Sequence, residues 1–272
     1  MAAQEEKDVI QYELAPNGIC RIWLNRPHKR NCVSPQLLRD LEAAVDRAAA
    51  DKNALCVVFR GRGNTFCSGA DLDQLVGPVL GESTDSLQLA VDSARTYDKI
   101  FNMRKPTIAA VEGYAVAGGF ELAISTDFLL CADECKIGDF HIRRALFGGC
   151  GPIYRLPRYL GLRKSKELML TGKLLSGQEA AAWNLANTSA PAAQFDKLIE
   201  DFCAPFLELS PFCMWMTKKA VNRGLDGDTE TLIALETMTC NVVHHSTDEG
   251  RRLRVPREAQ AEVGRSLIAR VH

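Results

Sequence analysis

The chain has no polybasic block, no apolar run long enough to span a bilayer, and no basic-then-apolar start of the secretory kind. Its 33 Lys and Arg against 34 Asp and Glu leave a formal net charge of −1, which argues against nucleic acid as the main partner. No nucleic acid and no membrane are therefore expected as partners, and a cytoplasmic location is expected. Metal-type cysteine spacing is missing too. The ten cysteines form no paired motif, and most sit in apolar contexts such as Leu55-Cys56-Val57 and Leu130-Cys131-Ala132. They read as reduced core thiols, an expectation that leaves out both a disulfide framework and a metal centre. No internal repeat or low-complexity tract stands out.

What is there is enough for a full core. The 272 residues, 46% hydrophobic and 25% charged, suit one domain with a small C-terminal extension. Ile19–Leu24 reads as a strand, and Ser34-Pro35 as an N-cap with proline in the first helical position. Leu37, Leu38, Leu41, Ala44, Val45 and Ala48 then share one helical face. Residues 56–59, Thr107–Val111 and Phe128–Ala132 are further strands, and strand–helix–strand repetition predicts parallel crossovers. Residues 81–86 cluster Gly, Ser, Thr and Asp without apolar period and read as a mobile loop that could shape a neighbouring binding turn. From residue 192 onward the pattern is helical, with Phe195, Leu198, Ile199, Phe202 and Phe206 on one face and Leu232, Ile233, Leu235 and Met238 in a later segment.

Two places carry chemistry. The segment from Ile108 to Asp127 runs an apolar strand into a small-residue turn and then a helix with Glu121 in its first turn. Gly118 and Gly119 let a ligand approach the backbone there. Phe66-Cys-Ser-Gly-Ala-Asp-Leu72 makes a second glycine turn after an earlier apolar run. Two such turns, each offering one N–H, can hold an oxyanion between two donors, or can simply be tight connections. Glu121 can move a proton, or can merely complement a helix dipole.

Asn25-Arg-Pro-His-Lys-Arg-Asn31, Ser68-Gly-Ala-Asp-Leu72, Gly118-Gly-Phe-Glu-Leu-Ala123 and Leu170-Thr-Gly-Lys-Leu-Leu-Ser-Gly-Gln-Glu-Ala180 occur in that order. Together they resemble the enoyl-CoA hydratase/isomerase, or crotonase, superfamily over most of the chain. The resemblance implies an α/β fold, a crotonase-like spiral of βαβ units over residues 1–190 followed by a helical oligomerisation region at 191–272. It implies a homotrimer or a dimer of trimers, an acyl-CoA thioester substrate, and no cofactor beyond the coenzyme A of that substrate. The backbone N–H groups of Ala70 and Gly118 would hold the thioester oxygen, with Glu121 as the first catalytic carboxylate. His28, Lys29, Arg30, Ser68, Ala70, Asp71, Leu72 and Gly118 would line the CoA.

The sequence departs from the family pattern at two places. Aligning 137–156 on the stretch that usually carries a second glutamate puts His141 at that position. Histidine can still exchange a proton near neutral pH, or can only hydrogen-bond a carbonyl. Asp139, two residues earlier, shares a side with it if the stretch is extended, and is otherwise a solvent-facing loop acid. Tyr154 and Cys150 fall near the same turn without an assigned role. At the C-terminus, Asp248-Glu-Gly-Arg-Arg-Leu-Arg-Val-Pro256 keeps Glu-Gly and positive charge but not the usual aromatic pattern. Arg251, Arg252 and Arg254 could meet nucleotide phosphates or form a solvated or intersubunit face. The adjacent His244-His245 diverge on a helix, so no metal site is expected. The expected reaction is hydration of a 2-enoyl-CoA, or its reverse. Isomerisation, hydrolytic or decarboxylative C–C cleavage, and non-catalytic acyl-CoA binding stay open.

Overall fold

The computed structural model of the protein describes residues 7–75 and 84–245, which fall into two compact units meeting between Glu208 and Leu209. In the first, β1 (Ile10–Leu14) and β2 (Ile19–Leu24) form an antiparallel hairpin. From β2 the chain crosses through α1 (Pro35–Ala50) to β3 (Cys56–Gly61), which lies parallel to it. Ser34 caps α1 by accepting from the Leu37 N–H at 3.1 Å, with Pro35 following, and all six residues expected on the inward face are buried. Next come α2 (Leu72–Leu75), α3 (Thr84–Phe101), β4 (Thr107–Val111), β5 (Tyr114–Val116) and α4 (Gly118–Ala123). Then follow β6 (Phe128–Ala132), β7 (Lys136–Gly138), α5 (Pro152–Thr171), α6 (Gly177–Ala182), β8 (Thr188–Ala190) and α7 (Ala192–Glu208).

The main sheet runs β1-β2-β3-β4-β6-β8, parallel throughout after the hairpin. Its central strands read as unbroken apolar runs because both faces are covered. Val57, Phe59, Ala109, Val111, Leu129 and Cys131 face the larger core with α1. Their alternates Cys56, Val58, Ile108, Ala110, Leu130 and Ala132 face Phe195, Ile199 and Cys203 of α7, as the period of two requires. Phe128, Phe202 and Phe206 close that side as an aromatic cluster with ring centroids 5.2–6.0 Å apart.

This places α7 in the core of the first unit, which runs to Glu208. A helix whose apolar face fills one side of a sheet cannot be an appendage to it. The loop expected at 81–86 is also shortened, since Thr84 already begins α3; residues 81–83 lie outside the described residues. From Thr84 onward the chain is helical rather than irregular.

A smaller layer carries the site. β5 and β7 pair in parallel, and single bridges join Cys67 to Ala115, Val33 to Ala70, and Ile137 to Leu175. The loop after β3 and the turn after β5 are thereby stitched together by backbone. In the second unit, α8 (Pro211–Arg223) is capped by Ser210, and Asp228 accepts from Thr231 N–H to start α9 (Thr229–His245). Neither helix buries a residue; Ile233 and Met238 are exposed, while Leu232 and Leu235 are half-buried. Eight of the ten cysteines are buried and all ten are free thiols. Among the described residues no helix is long and apolar enough to cross a membrane.

Candidate active site

Gly69 and Ala117 bring the two glycine turns together. Gly69 adopts φ +94°, and a Cβ on it would lie 3.0 Å from the Ala117 Cβ and 3.3 Å from the Gly118 nitrogen. Ala117 itself sits at φ +51°, ψ −124°, a conformation that costs an L-residue about 1–3 kcal/mol. That torsion ends β5 and starts α4. A Cβ on Gly118 would lie 3.6 Å from the Ala70 nitrogen, so the two amides are neighbours. Neither the Ala70 nor the Gly118 N–H donates a hydrogen bond among the described residues, although the groups around them do. Val33 N–H reaches Gly69 O at 2.7 Å, Asp71 N–H reaches Val33 O at 2.9 Å, and Val116 N–H reaches Cys67 O at 3.1 Å. Two unused donors inside a paired frame are the geometry an oxyanion requires.

Glu121 follows one turn later and is 3% exposed. Its Oε1 accepts from the Cys150 N–H at 2.9 Å. Burial pushes its carboxyl above the ordinary value, against the opposing pull of the Cys150 N–H and the His141 charge. His141 opens a short 3-10 turn after β7, and its Nδ1 is hydrogen-bonded to Asp139 Oδ1. A Cβ on Gly148 would lie 2.9 Å from both Glu121 Oε1 and His141 Nδ1, so the backbone at 148 lies between them and a side chain there would have to displace one or both. Burial disfavours the charged ring, but the Asp139 hydrogen bond and the Glu121 and Asp139 charges outweigh it and raise the His141 value. Asp139, 3% exposed, is no solvent-facing acid.

The CoA candidates divide. His28 and Lys29 lie on the exposed turn Pro27–Lys29 and Arg30 follows in the left-handed region. Arg30 O accepts from Ser68 N–H at 3.1 Å and Lys29 pairs with Asp73 at 2.6 Å, so this segment runs beside the Ser68–Leu72 loop. Leu72 is exposed there. Asp71 turns its carboxylate inward to Arg26 at 3.0 Å, both side chains almost wholly buried. That pair holds the loop, because separating buried partners strands a charge. Arg251, Arg252 and Arg254 lie outside the described residues. His244 and His245 turn to their own helix, toward Cys240 and the Asn241 carbonyl. A separate cleft of about 340 Å³, bordered by Ile124, Asp127, Tyr159 and Asn187, contains none of these residues.

Three supporting residues escaped the sequence. The Tyr97 hydroxyl donates to Gly118 O at 3.1 Å from α3, where an aromatic at helical spacing signals only core. Cys150 acts through its amide, which no side-chain pattern reveals. Arg155, 3% exposed, donates to Cys150 O at 3.2 Å and stacks beside Tyr154, bracing the loop that holds Glu121. Its Nε has no partner among the described residues. An arginine inside an otherwise apolar helix start was the available signal.

The sequence profile of a family described as Enoyl-CoA hydratase/isomerase matches residues 15–255. Mouse methylglutaconyl-CoA hydratase, mitochondrial, is 32% identical over 243 residues, which cover 86% of this chain and 75% of that protein. The crystal structure of an enoyl-CoA hydratase from Bacillus anthracis superposes with a TM-score of 0.85 at 27% identity, over 92% of this chain and 96% of that one. A Thermobifida fusca structure, described as an enoyl-CoA hydratase in complex with CoA, gives 0.77 at 26% identity, over 86% and 92%.

Proposed function

Because the chain belongs to the enoyl-CoA hydratase/isomerase family, we propose that it hydrates a 2-enoyl-CoA, or dehydrates a 3-hydroxyacyl-CoA, through a thioester enolate. The observation that carries this reading is the adjacency of two undonated amides, Ala70 and Gly118, with a buried carboxylate one turn away. In the forward direction Glu121 takes a proton from water as its oxygen bonds to the β-carbon. The double-bond electrons move onto the thioester oxygen, between the two N–H groups. The enolate then collapses and its α-carbon takes the proton held by His141. One preorganised donor of this kind is worth about 2.7–4 kcal/mol of barrier.

The exposed His28, Lys29 and Arg30 are the proposed contacts for the CoA phosphates, with Ser68 and Leu72 along the chain toward the thioester. A homotrimer or a dimer of trimers is the proposed assembly. Val221, Ile233 and Met238 stand at least half exposed on α8 and α9, apolar surface that a second copy would cover. A cytoplasmic location is proposed on the ten free thiols.

Following the conjugated thioester absorbance with 2-enoyl- and 3-enoyl-CoA tests the reaction. Hydration removes the signal of the 2-enoyl ester, and Glu121→Gln or His141→Ala slows that loss by about 10²–10⁴-fold. A signal gained from the 3-enoyl ester alone would make the protein an isomerase. Binding with neither change would make it an acyl-CoA binding protein.

A further inference from the structure

We infer that Asp139 is the positioning residue of a histidine–carboxylate dyad in which Asp139 holds the Nδ1 proton of His141 and leaves Nε2 as the proton-exchanging atom. The inference rests on the hydration reading for its place in turnover, but on geometry for its existence. Asp139 is buried, its Oδ1 accepts at His141 Nδ1, and the same oxygen accepts from the His141 backbone N–H at 3.4 Å. One carboxylate oxygen thus fixes both the ring and the turn that carries it. Nε2 makes no hydrogen bond among the described residues. The charged groups facing the ring are Asp139, from the end of β7, and Glu121, from α4. Beyond them the Cys150 thiol lies against Glu121, and the Arg155 guanidinium lies against Cys150.

The dyad has a chemical reason. A hydratase step needs a base beside a proton donor. A neutral carboxylic acid supplies such a donor without adding charge, whereas a lone imidazolium adds a positive charge next to the Glu121 carboxylate. That lone cation would pair with Glu121 and blunt it as a base. Imidazolium plus the Asp139 carboxylate is net neutral and still carries one transferable proton, so Glu121 keeps its charge for water. In the step, the Nε2–H bond breaks as the Cα–H bond forms. The ring is left neutral, with its other proton on Nδ1 against Asp139. Glu121 holds the proton taken from water, and exchange with solvent restores both groups.

The test uses the full chain, Asp139→Asn, Asp139→Glu, and ¹⁵N-histidine NMR. In the wild type the His141 ring should show an Nδ1–H signal far downfield, and its titration midpoint should lie above that of a free imidazole. In Asp139→Asn the midpoint should fall and that signal should vanish. With but-2-enoyl-CoA, kcat should drop about 10²-fold at nearly unchanged KM, and the alkaline limb of the pH–rate profile should move to lower pH. Asp139→Glu should restore part of both. An unchanged ring titration in Asp139→Asn overturns the dyad, as does a wild-type ring without the downfield Nδ1–H, which needs no variant to fold. A loss of kcat with the alkaline limb unmoved makes Asp139 merely structural and also overturns it. If the wild type fails to hydrate but-2-enoyl-CoA while the ring signals behave as stated, the dyad stands and the hydration reading falls.

Discussion

Glu121 sits where its charge is unwelcome. Burial raises its carboxyl, so ionisation in the folded chain costs more than in the unfolded one. The sign follows from which state binds the proton more tightly. Stability contributed by the protonated group is full at acid pH and is lost as pH rises from the unfolded-state value through the higher folded one. Above the raised value the wild type carries that penalty. Glu121→Gln keeps an oxygen for the Cys150 N–H and removes the charge. It should therefore raise the stability measured by urea denaturation at pH 7, while this gain shrinks toward zero near pH 4. Lower stability for the variant at pH 7 would show that the carboxylate is favoured in the fold. His141 has the opposite dependence: its raised value stabilises the fold below the ordinary histidine range, and that stabilisation fades as pH climbs through the raised value.

At the scale of elements, the six residues of α4 pack two glycines with opposite tolerances. A Cβ on Gly118 meets nothing closer than 3.6 Å, whereas on Gly119 it would stand 2.3 Å from the Cys67 carbonyl oxygen. Gly118→Ala should consequently fold normally yet lose about 10²–10³-fold in turnover, because its methyl occupies the space before the Ala70 N–H. Gly119→Ala should lose about 3 kcal/mol of stability, since backbone of the 66–70 loop must move. Thermal unfolding and turnover measured side by side separate the two, and equal unfolding temperatures would refute the assignment. The sequence could not tell these glycines apart. Their difference arises from a bridge between Cys67 and Ala115, residues far apart in the chain.

The strands β2, β3, β4 and β6 and the capped α1 were legible because each is written locally, in an unbroken apolar run or a Ser-Pro start; β1, β5, β7 and β8 were not. The two glycine turns and the place of Glu121 after the second were legible for the same reason, while the roles proposed for them come from the resemblance. The inward turn of Asp71 was not, for it depends on Arg26, nor was the brace from Tyr97, for an aromatic at helical spacing belongs to any core. The depth of Asp139 was equally hidden, since burial is decided by what packs over a loop and not by the loop itself.

Across the whole molecule, the small layer built from β5, β7 and their flanking bridges has a bearing on backbone dynamics. Among the described residues the amides of Val33, Cys67, Asp71 and Val116 are engaged, and those of Ala70 and Gly118, set among them, are not. In deuterium exchange read amide by amide, the first four should exchange as slowly as the main sheet, while the latter pair exchange early. A saturating acyl thioester should slow those two by at least about tenfold and leave the four unchanged, so the pocket would announce its occupant through a pair of protons falling silent together.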